Sequence, residues 1–283
     1  MKPLVIRSPA KINLFLKVVG KRTDGYHEIV TLMCRVGLFD TVTLSFGEPS
    51  IRVHCAHPQV PDGRPNLAYK AAAHFFEALS RQDGVAISID KVIPVAAGLG
   101  GGSSNAAAVF MGLNEHYGLP FTEEKLMDMA LRVGADVPFF VFGHCAVARG
   151  IGEQLERFCG LPSWSVVLVC PRRQISAAWA YKHFTLRLTN CEENFKVLPF
   201  TEDLSKTESL LCNDLEQVAV DKFPEIDAIK TALVDLGAKQ ALMSGSGPAV
   251  FGLFQDPQQA SLALQRIKQE RRWDTYLVNL LLP

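Results

Sequence analysis

Pro94-Val-Ala-Ala-Gly-Leu-Gly-Gly-Gly-Ser-Ser-Asn105 decides how this chain is read. Four glycines, Gly98 and Gly100 to Gly102, fall close together, and an alanine-rich run that favours a helix follows. A backbone so poor in side chains approaches an anion closely and can turn its N–H groups one way. A helix starting just after it adds unpaired donors and the positive end of a dipole. The stretch therefore reads as a phosphate cradle. It is not a Walker A loop, because no lysine follows the glycines. It is not a dinucleotide fingerprint either, because Ser103 stands where the third glycine belongs.

Around this loop the chain has the composition of a folded globular protein. It has 283 residues, 48% hydrophobic and 20% charged, and 29 basic side chains balance 29 acidic ones. That length suits one large domain or two ordinary ones. The zero net charge provides no global field for nucleic acid or an anionic membrane. Seven cysteines are scattered singly with no Cys-x-x-Cys pair, which predicts buried reduced thiols. Lys2, Arg7, Lys11 and Lys17 interrupt any apolar leader, and no apolar run is long enough to span a bilayer. A cytoplasmic protein with no membrane and no nucleic-acid partner is expected; the oligomeric state is not readable.

Residues 3–7 and 12–19 read as strands separated by Pro9. Residues 41–46 and 51–55 alternate as strands joined by a hairpin at Gly47-Glu-Pro-Ser50. Asn66 caps a helix running to about Ser80, a strand covers 85–90, and Ser103 or Ser104 caps the helix after the glycine loop. Thr122 caps another helix, closed by Gly134. Strands follow at 145–149 and 164–170, with a junction at 153–163. The second half carries a helix over Pro224–Leu236, a strand near 248–254, a helix near 257–271 and a last strand near 275–281. A second glycine loop, Ser244-Gly-Ser-Gly-Pro248, precedes the strand near 248–254. Strands first and helices later in the first half point to an α+β fold.

Lys11, in Ser8-Pro-Ala-Lys-Ile-Asn13, is a lone cation in an apolar strand, and alone it reads as a solvent-facing lysine. Asp136, in Gly134-Ala-Asp-Val-Pro-Phe-Phe140, alone reads as a helix N-cap. These segments, with the two glycine loops, nevertheless occur together and in order. In that order they resemble the galactokinase–homoserine kinase–mevalonate kinase–phosphomevalonate kinase superfamily. With Arg22-Thr-Asp-Gly-Tyr-His-Glu28 added, they are most similar to the branch that phosphorylates a diphosphocytidyl-methylerythritol in non-mevalonate isoprenoid synthesis.

The resemblance implies two α+β domains. An ATP-binding domain like ribosomal protein S5 domain 2 would cover 1–155, a ferredoxin-like domain would cover 156–283, and the active site would lie in the cleft between them. It implies ATP as phosphoryl donor, with Mg²⁺ arriving with the nucleotide and held by Ser103 or Ser104 rather than by a dedicated cage. Pro94, Val95, Ala96, Ala97, Gly98, Leu99, Gly100, Gly101, Gly102, Ser103 and Ser104 would hold the phosphates, with Asn66 and Lys91 near the adenosine. Asp136 would accept the proton of the attacking 2-hydroxyl, and Lys11 beside it would stabilise transferring charge. Asn13 would touch the substrate, whose cytidine diphosphate end would meet Tyr26 and His27. Tyr181, with Trp179 as its rival, would supply a second aromatic ring against the cytosine. Other readings on the same scaffold are a mevalonate or homoserine kinase and a non-catalytic ligand-binding protein.

Overall fold

A computed structural model describes residues 2–185 and 211–282. The chain forms two compact units interleaved along the sequence. The first comprises residues 1–10, 38–95 and 100–143, and the second 11–37, 96–99 and 144–283. Two long strands contribute to both: β1, Leu4–Lys21, and β2, His27–Glu48.

In the first unit, β3 (Arg52–Cys55) is followed by α1 (Leu67–Ala78) and β4 (Gly84–Asp90). The expected hairpin between 41–46 and 51–55 does not form. β4 inserts between them, antiparallel to β2 (Thr41 opposite Asp90) and parallel to β3 (Arg52 opposite Ala86). The turn residues at 47–50 were legible, but the pairing depends on a strand thirty residues further on. Pro9 also fails to divide β1. Among the described residues this strand has one ladder partner, β2, so an edge position can accommodate a residue without an N–H.

Three further helices complete this unit: α2 (Gly101–His116), α3 (Glu123–Leu131) and α4 (Val137–Phe142). Asn66 and Thr122 cap α1 and α3 as expected, accepting from the N–H groups of Ala68 and Lys125. Phe75, Phe110 and Phe139, one from each of three helices, are fully buried. Gly112 lets α2 lie against the sheet. A Cβ there would stand 2.6 Å from the side-chain ends of Ile6 and Leu44.

The second unit holds the latter part of β1 and the first part of β2, where Thr31, Leu32 and Met33 face Ala148, Val147 and Ala146 of β5 (Ala146–Arg149). β6 (Gln154–Arg157) pairs with β5, so part of the expected junction at 153–163 is strand. Then come β7 (Ser165–Pro171), α5 (Ala177–His183), α6 (Glu216–Lys222), α7 (Glu225–Asp235), β8 (Gln240–Met243), β9 (Val250–Phe254), α8 (Pro257–Gln269) and β10 (Trp273–Asn279). The last four strands form a sheet in the order β10-β7-β9-β8, every neighbouring pair antiparallel. Numbered along the chain, that order is 4-1-3-2, with helices between the first and second strands and between the third and fourth. This is the ferredoxin-like arrangement. Its core includes Val167, Val169, Ile226, Ile229, Leu233, Met243, Val250 and Phe254.

One expectation about thiols is corrected. Cys34, Cys55, Cys145 and Cys170 are free and buried and Cys159 is free but exposed, whereas Cys212 is disulfide-bonded. Cys191 lies outside the described residues.

Candidate active site

The glycine stretch divides between the units: Pro94, Val95 and Gly100–Ser104 belong to the first, and residues 96–99 to the second. In the first unit the helix begins earlier than the serines suggested. Gly100 adopts φ 68°, a left-handed conformation, and is itself the N-cap with no side-chain bond, so Gly101 opens α2. The reason is steric: glycine reaches that conformation without a Cβ penalty. A Cβ on Gly101 would sit 2.9 Å from Lys91 Nζ and 3.0 Å from Ile93 Cγ2. The first turn of a sixteen-residue helix is thus stripped of side chains at Gly101 and Gly102, with its N–H groups unpaired within the helix.

The two serines differ. Ser104 and Asn105 are buried, and the Ser8 hydroxyl lies 2.8 Å from both Ser104 Oγ and Asn105 Oδ1. Ser103 is half-buried.

Lys91 is not the surface lysine its sequence context allowed. It pairs with Asp40 at 2.8 Å, both side chains are almost fully buried, and it also donates to the Ile93 carbonyl. Burial pushes its ammonium down from the ordinary lysine range, and the Asp40 charge opposes that shift. Asp40 Oδ1 accepts the N–H groups of Val92 and Ile93, so the pair anchors the residues just before Pro94. Asn66 is likewise occupied: Oδ1 caps α1 and Nδ2 donates to the Pro61 carbonyl. Asp136 stands half-buried at the N-cap position of α4, yet its carboxylate makes no cap bond to that helix, contrary to its plainer reading.

The second unit brings together Lys11, Asn13, residues 96–99 of the first glycine loop and the second glycine loop. Residues 96–99 are held by four bonds: Ile175 N–H to Ala96 O, Ala249 N–H to Ala97 O, Ser244 Oγ to Gly98 O, and Lys11 N–H to Leu99 O. At Gly98 (φ 78°) a Cβ would lie 2.1 Å from Ser244 O. At Gly245 (φ 56°) it would lie 3.0 Å from Asn13 Oδ1 and 3.3 Å from Lys11 Nζ. Gly98 therefore lets the two loops touch, and Gly245 keeps the space beside Lys11 free of a side chain. Lys11 is 4% exposed, not solvent-facing, and donates to Asn13 Oδ1 at 2.6 Å. Asn213, absent from the sequence reading, donates to the carbonyls of Met243 and Gly245 and so fixes the second loop.

An aromatic station lies in the same unit. Asp24 accepts the Tyr26 N–H, and Gly25 at φ 90° completes the turn. The His27 ring stacks on Tyr181 with centroids 5.3 Å apart and meets Phe184 edge-on at 6.4 Å. Tyr26 is 58% exposed. Trp179 is committed elsewhere, stacked on His183 with the Lys222 ammonium 4.0 Å from its ring centroid. Burial, with help from the Lys21 charge, holds the His27 imidazole below the ordinary histidine range.

Comparison with known proteins places this geometry. The family model described as GHMP kinases N terminal domain matches residues 66–144, and GHMP kinases C terminal matches 197–271. Proteins named 4-diphosphocytidyl-2-C-methyl-D-erythritol kinase from Syntrophotalea carbinolica and Geobacter metallireducens are 46% and 45% identical, over 96% of this chain and 96% and 97% of theirs. This chain belongs to the 4-diphosphocytidyl-2-C-methyl-D-erythritol kinase branch of the GHMP kinase family. A crystal structure of 4-(cytidine 5'-diphospho)-2C-methyl-D-erythritol kinase superposes with TM-score 0.82 at 35% identity, covering 98% of this chain and 99% of that one. Homoserine kinase from Cytophaga hutchinsonii, at 17% identity and TM-score 0.72, shares the fold. The α+β, two-domain architecture expected from the motifs is thus the GHMP kinase fold.

The sequence motifs singled out Lys11, Asn13, His27 and both glycine loops. They missed Ser8, Thr31, Asp40, Phe184 and Asn213, which contact motif residues from distant positions. A buried-strand Thr or Asp carries no local signature. Among the described residues no helix is long and apolar enough to cross a membrane, and no cluster of acidic, His or Cys residues forms a metal cage.

Proposed function

We propose that this chain transfers the γ-phosphoryl group of ATP to the 2-hydroxyl of 4-diphosphocytidyl-2-C-methyl-D-erythritol. The products are the 2-phosphate and ADP, within the non-mevalonate isoprenoid pathway. The observation that carries the acceptor is the aromatic station. A ring pair, His27 on Tyr181, suits a flat cytosine and has nothing to grip on the small acyclic acceptors of related kinases. The names of relatives 40–46% identical over nearly the whole chain support the same reading.

Phosphoryl transfer is mostly positioning and charge stabilisation. The bare first turn of α2 and residues 94–100 receive the ATP phosphates on backbone N–H groups. The cradle fits: Cβ atoms at Gly98 and Gly101 would strike their neighbours. Mg²⁺ comes with the nucleotide and neutralises phosphate charge. Ser103 is the better-placed of the two serines to contribute a hydroxyl, since Ser104 is buried against Ser8. Asp136 takes the proton of the attacking hydroxyl, Lys11 stabilises charge on the transferring group, and Asn13 holds both Lys11 and the acceptor. Tyr26, His27 and Tyr181 take the cytosine end. Asn66 and Lys91 serve the adenosine side through α1 and the Ile93–Pro94 backbone, because their polar atoms are already bonded. The division into an ATP-binding part, 1–155, and a second part, 156–283, belongs to the same proposal. It is supported by one family model ending at 144 and the other starting at 197.

The test is ADP release with the cytidine acceptor, measured for wild type, Lys11→Ala and Asp136→Asn. Wild-type turnover in either variant refutes the assigned chemistry.

A further inference from the structure

Three side chains form a directed chain of hydrogen bonds inside the second unit. Lys11 Nζ donates to Asn13 Oδ1 at 2.6 Å, Asn13 Nδ2 donates to Thr31 Oγ1 at 2.8 Å, and Thr31 Oγ1 donates to the Phe15 carbonyl at 2.5 Å. Chemistry dictates the direction of each link. An ammonium only donates, so the amide atom facing Lys11 is the oxygen and the NH₂ faces Thr31. An NH₂ only donates, so the Thr31 oxygen accepts there and sends its own hydrogen to the Phe15 carbonyl, which only accepts. Lys11, Asn13 and Thr31 are 4%, 2% and 0% exposed, so bulk water does not substitute for a lost link. The Asn13 backbone is held as well: its N–H donates to Ser244 Oγ, which donates to the Gly98 carbonyl. With that backbone pinned to the glycine loops, the remaining freedom at Asn13 is rotation of its amide.

We propose that Thr31 is a positioning residue for phosphoryl transfer: its hydroxyl sets which way the Asn13 amide faces and thereby where the Lys11 ammonium is held. The inference rests on the catalytic reading of Lys11 given above. Without the hydroxyl, the Asn13 NH₂ loses its acceptor, and a turned amide presents NH₂ hydrogens to the ammonium. The packing would survive, because valine has the shape of threonine.

The experiment compares wild type, Thr31→Val, Thr31→Ser, Asn13→Ala and the double variant Asn13→Ala/Thr31→Val. Each is assayed for kcat and for KM of ATP and of the cytidine acceptor, with thermal unfolding alongside. Thr31→Val is expected to lose roughly tenfold to a hundredfold in kcat, the scale of a displaced catalytic group, while KM for ATP moves less than about twofold. Thr31→Ser restores most of kcat. In the Asn13→Ala background Thr31→Val changes kcat by less than about twofold, because the residue it acts through is gone. Wild-type kcat in Thr31→Val, equal impairment in Thr31→Ser, or the same fold-loss with Asn13 absent each overturns the proposal. If the valine protein does not fold, Thr31→Cys replaces it: a weak donor must lose kcat where serine does not. Failure of wild type to turn over the cytidine acceptor refutes the functional reading instead. The Thr31 comparison is then run on mevalonate or homoserine, whichever the enzyme phosphorylates.

Discussion

Gly98 has no room for a side chain: its hypothetical Cβ falls 2.1 Å from the Ser244 carbonyl oxygen, and its φ of 78° disfavours any L residue. Gly98→Ala should therefore cost at least about 2 kcal/mol, from left-handed strain plus a backbone collision, and lower Tm by roughly 4–8 °C. An unchanged Tm by calorimetry would mean the two glycine loops are not in contact. His27 supplies a pH prediction. Burial and the Lys21 charge hold its imidazole below the ordinary histidine range, so its proton is gained in more acidic solution than for a free histidine. If the neutral ring reads the cytosine, KM for the cytidine acceptor is flat from neutral pH down to that lowered value and rises below it. A rise whose midpoint lies above the ordinary histidine range contradicts the assignment. His27→Ala should raise that KM by roughly tenfold, the loss of one stacked, hydrogen-bonding ring, and leave KM for ATP unchanged.

Among the elements, α1 and the strand-to-loop passage before Pro94 carry the clearest tests. Asn66→Ala removes the α1 cap and should lower stability by about 1 kcal/mol, read as a Tm drop of roughly 2–4 °C. Lys91→Met leaves Asp40 charged, buried and short of a partner, and should cost about 3–5 kcal/mol. Asp40→Asn in the Lys91→Met background should recover part of that loss, and no recovery would remove the ion pair from the account. The caps of α1 and α3 were legible because a capping side chain bonds within three residues of itself. The start of α2 was not, since a glycine in a left-handed conformation caps by backbone shape and leaves no side-chain signature. The hairpin expected at Gly47–Ser50 failed for a related reason: turn residues are local, whereas the partner of β3 arrives after a whole helix. β8 is four residues long and lies at the sheet edge beside β9, and so short a run shows no clear alternation.

For the whole molecule, the α+β, two-domain class was legible from the motifs, whereas the way its units interleave was not. Lys11 and Asp136 each had a plainer reading alone, and only their company with the two glycine loops singled them out. The interleaving of residues 1–10, 38–95 and 100–143 into one unit and the rest into another follows from two strands of 18 and 22 residues that contribute to both. No periodicity announces that. Lys91 shows the limit from the other side. The family resemblance drew attention to it, its sequence context suggested a surface residue, and the fold made it the buried partner of an aspartate fifty-one positions away.

What sets this GHMP kinase apart is recognition of a cytidine-bearing alcohol. A coupled assay of ADP release, run with 4-diphosphocytidyl-2-C-methyl-D-erythritol beside mevalonate and homoserine, tests it most directly. Turnover with the cytidine compound alone, lost in Lys11→Ala, is the expected result. Turnover with mevalonate or homoserine and none with the cytidine compound would contradict it.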